Sequence, residues 1–420
     1  METNHNVFDV IVVGGGAAGI AAACAARDLG KKVALFEKAP YLGGKATAAY
    51  VGTICGAYFR SEKTTGAYVC EGWPQTFIND LAILSNTKPN REKEGIQYLP
   101  YDQFQFKRLA EERCLQAGVE LFLQSTLMEI KIAKNTIKSA SVYVNDHIEE
   151  YTTKSLIDCT GEAIVANLIE LEKISSDKYQ ASAKVFGLVN IKAGIELQNL
   201  KLTLFKSVKK GILENKIDKR LQHISVVPGS YKNNAVYLKI GLPTIVDGQL
   251  NQMTTLNIES RKLINEVFNY LKTVTPIFQE AILSNIPSEV GVRTGPRHMG
   301  HYILQKEDVI LARKDKLSIA RGAWPIEYWD YGHKPQMEYF KEDDYFDIPY
   351  TCLKSKSISN LYFAGRNISA DNQAIASCRV IGTCLQTGYA AGILSCFGND
   401  NISEAVYHIQ KHLKIGNEHS

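Results

Sequence analysis

The sequence predicts an α/β fold in which a parallel sheet lies between helices and carries an inserted α+β unit. Three observations predict it. Residues 8–13 (FDVIVV) form a β-branched run that passes through a glycine cluster into an alanine-rich helical stretch and then a second apolar run. Residues 118–123 (GVELFL) and 155–162 (SLIDCTGE) are strand-like segments separated by crossover-length stretches. Between them and the C-terminal region, residues 171–344 mix period-2 alternation with helical spacing.

Residues 8–13 are apolar on both faces, as a strand buried inside a parallel sheet requires. Gly14-Gly15-Gly16-Ala17-Ala18-Gly19 then fits G-x-G-x-x-G. Gly14 permits the tight turn, Gly16 lets backbone approach a pyrophosphate, and Gly19 lets helix and strand pack closely. Residues 20–29 read as a helix whose N-terminus offers free N–H groups to phosphate oxygens. Gly30 closes it, and residues 32–36 form the second strand, ending at Glu37. That carboxylate lies 18 residues past Gly19, at a strand tip where it can hold ribose hydroxyls. A glycine-rich turn in an ordinary α/β protein leaves Glu37 and its spacing unexplained, so the segment is read as a dinucleotide cradle.

The bulk composition narrows the class further. Over 420 residues, 45% hydrophobic and 22% charged with a net charge of +4, the chain has an ordinary globular balance and no massed basic track for nucleic acid. Nine cysteines without C-x-x-C spacing argue for reduced thiols rather than disulfides or zinc, and no metal site is expected. The start lacks the basic n-region of a secretion signal, and no stretch reaches the roughly 18 apolar residues of a membrane span. A cytoplasmic location without a membrane span is the expectation; the oligomeric state is left open.

The segment after Glu37 distinguishes among nucleotides. Lys38 to Thr47 (KAPYLGGKAT) brings a second glycine pair, Gly43-Gly44, where a nicotinamide dehydrogenase proceeds into another crossover helix. Together with GGKATAAYVGTICGAY, GVRTGPRHMGHYIL, AGRN and ASCRVIG, this resembles the FAD-dependent oxidoreductase family, related to fumarate reductase and succinate dehydrogenase flavoproteins. The resemblance covers about the first 60 residues and the last 130. It implies a Rossmann-like FAD domain of glutathione-reductase type, discontinuous over residues 1–170 and 345–420, with a substrate or cap domain at 171–344.

The resemblance also implies FAD contacts from Gly14, Gly16, Ala18, Gly19, Glu37, Lys38, Gly44, Lys45, Thr47, Gly161, Gly365, Arg366 and Gly382. A helix from about residue 380 would point its N-terminus at the flavin, where dipole and N–H groups stabilise negative charge. Family members with covalent flavin carry a histidine just after the Gly-Gly loop; Lys45, Ala46 and Thr47 stand there, so FAD is expected to be non-covalent. Cys55 in the same loop is a minor alternative linkage site.

In the middle of the chain, residues 183–191 and 235–242 read as strands, and 256–271 and 276–283 as helices. Residues 86–95 and 330–345 read as surface loops, the latter a candidate lid. The densest polar group gives Arg293, Arg297 and His298 as candidate catalytic residues, two arginines for an anion and a histidine for a proton. Pairing of these arginines with Glu289 or Asp308 is the competing structural role. Arg379 is a fourth candidate, directly before the flavin-facing helix start. Asp371-Asn372 either approaches the cofactor or caps a turn. Trp324, Tyr328 and Tyr350 either line a pocket or pack the core.

No second cradle comes after a strand, so a dedicated NAD(P)H domain is absent from the reading. Hydride transfer on a small organic substrate, as dehydrogenation or double-bond reduction, is the first expectation. An NAD(P)H-dependent flavin monooxygenase is the alternative enzyme. A non-enzymatic carrier or escort protein on the FAD fold is the alternative class.

Overall fold

The computed structural model describes residues 6–176, 179–244, 251–398 and 401–415. At its centre the strand Val7–Val13 pairs in parallel with Val33–Glu37 on one side and with His147–Asp158 on the other. Glu120–Leu123 extends the sheet in parallel beyond Val33–Glu37, and Leu361–Phe363 pairs in parallel with the end of His147–Asp158. The first half of that long strand instead runs antiparallel to Thr136–Val144, which pairs with Thr126–Ala133. The parallel strands therefore all end at one edge, where ligands bind in sheets of this kind.

Two helices cross against each other above this sheet. Ala17–Asp28 is buried from Ala17 to Ala26, and its small side chains let it nestle against Ile381–Phe397. The approach is backbone to backbone: a Cβ on Gly388 would lie 2.1 Å from the Ala18 carbonyl oxygen, and one on Gly392 would lie 2.3 Å from that of Ala22. The run Ala390-Ala391-Gly392 is thus a packing stripe inside the helix, which continues to Phe397.

A second core gathers Phe186 to Val292 around a four-stranded antiparallel sheet. Its strand order is Ser225–Val226, Val236–Thr244, Ala181–Val189, Ile282–Asn285, and the long helices Leu197–Leu213 and Gln252–Val274 belong to the same core. Along Val236–Thr244 the alternation sends Val236, Leu238, Ile240 and Leu242 into this core, and Tyr237 and Lys239 away from it.

Several sequence expectations change here. Residues 276–283 do not form a helix: Pro276–Phe278 is one 3-10 turn, and the chain then extends into the edge strand Ile282–Asn285. A proline at the first helical position suits either outcome, and pairing with Ala181–Val189 decides it. Within 86–95 a short strand, Asn90–Arg91, pairs with Gln97–Pro100, and within 330–345 Gln336–Glu338 pairs with Ile326–Tyr328. Residues 304–340 also pack with the large core rather than the second one, through Leu304, Val309, Ile319, Ile326 and Phe340. Backbone bonds from Leu304 to Ser369 and from Asp371 back to Leu304 tie this stretch to the C-terminal region.

Candidate functional site

A cleft opens outside the carboxyl ends of the parallel strands. It is lined by Gly14, Gly16, Ala17 and Ala18 from the first turn, Glu37 and Lys38 from the second strand tip, and Gly43, Gly44 and Lys45 from the next loop. Thr160, Gly161 and Glu162 close it from the return turn, and Gly365, Arg366, Arg379, Ile381 and Cys384 from the C-terminal region.

The glycines divide by task. Gly14, at φ +97°, would put a Cβ 2.7 Å from the Cys159 carbonyl oxygen, and a Cβ on Gly19 would lie 1.8 Å from the Gly14 carbonyl oxygen. Both positions are closed by protein. Gly16 differs: a Cβ there meets nothing nearer than the Gly44 Cα at 3.9 Å, so the space beside it belongs to the cleft. The two glycine loops are bound together by the Gly43 N–H donating to Gly15 O at 2.8 Å. A backbone-lined groove at a helix N-terminus, with an acid at the next strand tip, fits a dinucleotide.

Glu37 is buried, and its carboxylate accepts from the N–H of Gly15 at 2.6 Å and of Ala39 at 2.8 Å. Burial pushes its carboxyl above the ordinary range, against those two N–H groups. Lys45 pairs with Glu289 at 2.6 Å, and although burial alone would raise Glu289, the lysine holds it below the usual carboxylate range. Arg366 lies against Gly161, whose missing Cβ leaves room for the guanidinium, and donates to Val292 O at 3.0 Å. The helix Ile381–Phe397 starts at the cleft with no side-chain cap on its first N–H groups.

At the Arg379 end lies a second chamber, lined among others by Ala183, Lys239, Ile240, Arg293, Trp329 and Tyr331. The Arg293 guanidinium stands 4.3 Å from the Trp329 ring centre and the Lys239 ammonium 5.0 Å from it. Arg379 donates to Gln180 Oε1 at 3.4 Å and to Glu327 O at 3.3 Å, and faces the Glu327 carboxylate at 3.6 Å.

Of the candidate catalytic residues, Arg293 and Arg379 line these spaces and Arg297 and His298 do not. Arg297 is 1% exposed and donates to the carbonyls of Ala370 and Gly295 at 2.8 Å. His298 stacks on Phe363 and places Nε2 2.8 Å from Asp158 Oδ2. Asp158 is fully buried and also accepts from Thr160, Val165 and Asn367. Burial alone would raise its carboxyl, but the His298 and Thr160 hydrogen bonds hold it below the ordinary range. The pair therefore fastens the return strand and cannot present the imidazole to the cleft.

Three expected cofactor contacts are also absent from the cleft lining: Gly19, Thr47 and Gly382. Gly19 packs on Gly14, and the Thr47 hydroxyl donates to Leu42 O at 2.9 Å. Gly382 lets its helix meet the segment 55–57, where a Cβ would fall 2.5 Å from Ala57 N. Asp371 caps a turn, accepting from Gln373 and Ala374 N–H. Glu289 pairs with Lys45 and Asp308 with Arg313, so neither takes Arg293 or Arg297. Sequence reading missed Lys239, Trp329 and Glu327; a lone lysine inside the apolar strand VYLKIGL was the available signal.

The fold and the cleft define a dinucleotide-binding α/β protein. Residues 9–403 match the family described as FAD dependent oxidoreductase, and the chain belongs to it. It is an FAD-dependent oxidoreductase, and FAD is its cofactor. Fumarate reductase (cytochrome) of Shewanella frigidimarina is 53% identical over 45 residues, covering 11% of this chain and 8% of that protein. FAD-dependent oxidoreductase pigF of Monascus ruber is 28% identical over 236 residues, 55% of this chain and 43% of that one. The matches therefore span less than half the length of these relatives. A geranylgeranyl bacteriochlorophyll reductase-like protein of Thermoplasma acidophilum is 14% identical, with TM-score 0.48 over 97% of this chain and 84% of that one. A variant of the flavin-dependent brominase Bmp2 is 10% identical, with TM-score 0.47 over 95% and 81%. Among the described residues no helix is long and apolar enough to cross a membrane.

Proposed function

We propose that this oxidoreductase transfers hydride between FAD in the cleft and a small organic substrate in the adjoining chamber, by dehydrogenation or the reverse double-bond reduction. The carrying observation is that Arg379 lines the cleft while facing, through Gln180, the chamber that holds Arg293 and Trp329. In this reading Gly14, Gly16, Ala18 and the N-terminus of Ala17–Asp28 hold the pyrophosphate of non-covalent FAD, and Glu37 holds its ribose. Lys38, Gly44, Lys45, Gly161, Gly365 and Arg366 complete the cradle, and the start of Ile381–Phe397 faces the ring. Bound flavin supplies the hydride acceptor or donor; the chain supplies orientation and charge.

Arg293 and Arg379 orient the substrate, and Trp329 keeps water from it. His298 is tied to Asp158, so proton transfer is not assigned to it. Burial pushes the Cys55 thiol up to about 12, which removes the thiolate a thioether link would need.

The test is an anaerobic screen of small metabolites against the purified yellow protein, monitored as loss of flavin absorbance. A substrate that bleaches the flavin, or reoxidises reduced flavin, is the expected result. Rapid bleaching by NADPH alone, with oxygen uptake that yields hydroxylated product when an aromatic substrate is added, would replace this reading with the monooxygenase one.

A further inference from the structure

The chamber beside Arg379 carries more positive charge than its neighbouring acids offset. Arg293 donates to the Ala181 carbonyl, and among the described residues neither it nor Lys239 makes an ion pair. Arg379 shares the Glu327 carboxylate with the indole N–H of Trp324, which donates to it at 3.2 Å. Lys239, Arg293 and Arg379 thus stand against two carboxylates, Glu327 beside Arg379 and Asp330 in the chamber wall. On the rim, Arg220 is already engaged by Asp218 and Glu259.

Two buried donors in the same place lack acceptors. Arg379 Nε and Gln180 Nε2 have no hydrogen-bond partner, and Gln180 is 1% exposed. Buried donors are normally satisfied, so such a pair side by side asks for an acceptor from outside the chain. Burial, with the Arg379 charge beside it, pulls Arg293 down to about 9, and burial with the Arg293 charge pulls Lys239 down to about 8. A bound anion relieves both effects.

We infer that this chamber is a subsite for a carboxylate carried on an apolar substrate skeleton. The planar guanidiniums of Arg293 and Arg379 match a planar carboxylate, and the Lys239 ammonium adds a point charge. The indole of Trp329 and the methyl of Ala183, on the same sheet face as Lys239, offer surface to carbon. The inference rests on the hydride-transfer reading only in taking the occupant for the substrate.

The test is a binding titration of the FAD-loaded protein, read by shifts in flavin absorbance and in tryptophan fluorescence. Benzoate, 3-phenylpropionate and succinate are compared with their neutral amides and with inorganic phosphate. At least one carboxylate is expected to bind roughly tenfold or more tightly than its amide. Lys239→Met and Arg293→Lys should each weaken that binding by about tenfold while the flavin spectrum and Tm stay unchanged. Should Arg293→Lys fail to retain FAD, Lys239→Met decides alone. Three results would overturn the inference: no carboxylate beating its amide, phosphate binding as tightly as the best carboxylate, or variants that bind as the parent does. The titration involves no turnover. Carboxylate binding, with a metabolite screen in which nothing bleaches oxidised flavin or reoxidises reduced flavin, would refute the hydride-transfer reading and leave the anion site standing.

Discussion

The cleft and the chamber are built from different materials. The cleft is organised by backbone: six glycines and a helix N-terminus shape it, with Glu37 at a strand tip and Lys45, Arg366 and Arg379 along its wall. Its recognition depends on where the chain can approach a ligand, and that is set by sheet topology. The chamber sets long cationic side chains, Lys219, Arg220, Lys239 and Arg293, beside Trp329 and Tyr331, between the four-stranded sheet and more distant segments. In the proposed reading its recognition depends on positive charge that Glu327 and Asp330 only partly cancel. Substitutions should therefore damage the two regions in different ways: by steric closure or loss of fold in the first, by graded loss of affinity in the second.

The largest effect is expected at Gly19. Gly19→Ala sets a methyl 1.8 Å from Gly14 O, so no folded yellow protein should be recovered, as judged by circular dichroism and flavin absorbance. Next comes the buried clamp behind the cleft. His298→Ala removes one donor from the buried Asp158 carboxylate, which keeps those of Thr160, Val165 and Asn367, and should cost about 1.5–3 kcal/mol in denaturant unfolding. The lowered carboxyl sets the direction with pH. Asp158 stabilises the fold above its unfolded value of about 4 and loses that contribution as pH falls through its lower folded value. Acid unfolding of the parent should therefore steepen below about pH 4, and Asp158→Asn should flatten that limb.

Gly16 separates binding from folding. Gly16→Val fills open cleft space, so the protein should fold while FAD binding weakens about 10- to 100-fold, the equivalent of roughly 1–3 kcal/mol of overpacking. If FAD affinity were unchanged, the cleft would not be the cradle. A smaller change is expected in the chamber. Burial above all, with the Arg293 and Arg379 charges, pulls Lys239 down to about 8 against the pull of Glu327, so it carries its charge below that pH and loses it above. Carboxylate affinity should thus fall roughly 3- to 10-fold between pH 7 and 9, and Lys239→Met should lessen that dependence and leave the part that Arg293 contributes near pH 9. No effect is expected from Cys55→Ser: acid precipitation should release the yellow chromophore from parent and variant alike.

The same division explains what could be read from the sequence. The strand, Gly14 to Gly19, the helix, the next strand and Glu37 were legible because their spacing is local and each glycine answers a backbone demand. Gly43-Gly44 and the helix beginning near residue 380 were legible by resemblance. Partnerships across the fold were not. Nothing in GVRTGPRHMGHY says that Arg297 will be enclosed by carbonyls and His298 by Asp158, 140 residues away. Residues 276–283 have apolar spacing that suits a helix, and only pairing with Ala181–Val189 makes their second half a strand. Lys239 stood inside an apolar alternation, but its register against Val185 decides which face it takes.

The central claim is that hydride passes between the FAD and a substrate in the chamber; in the dehydrogenation direction, electrons reach the FAD from that substrate and not from NADPH. Anaerobic rapid mixing of the oxidised protein with NADPH, set beside mixing with a carboxylate substrate from the screen, tests it most directly. The predicted result is flavin bleaching by the carboxylate and no comparable bleaching by NADPH. Fast, saturable bleaching by NADPH with no response to any carboxylate would contradict it.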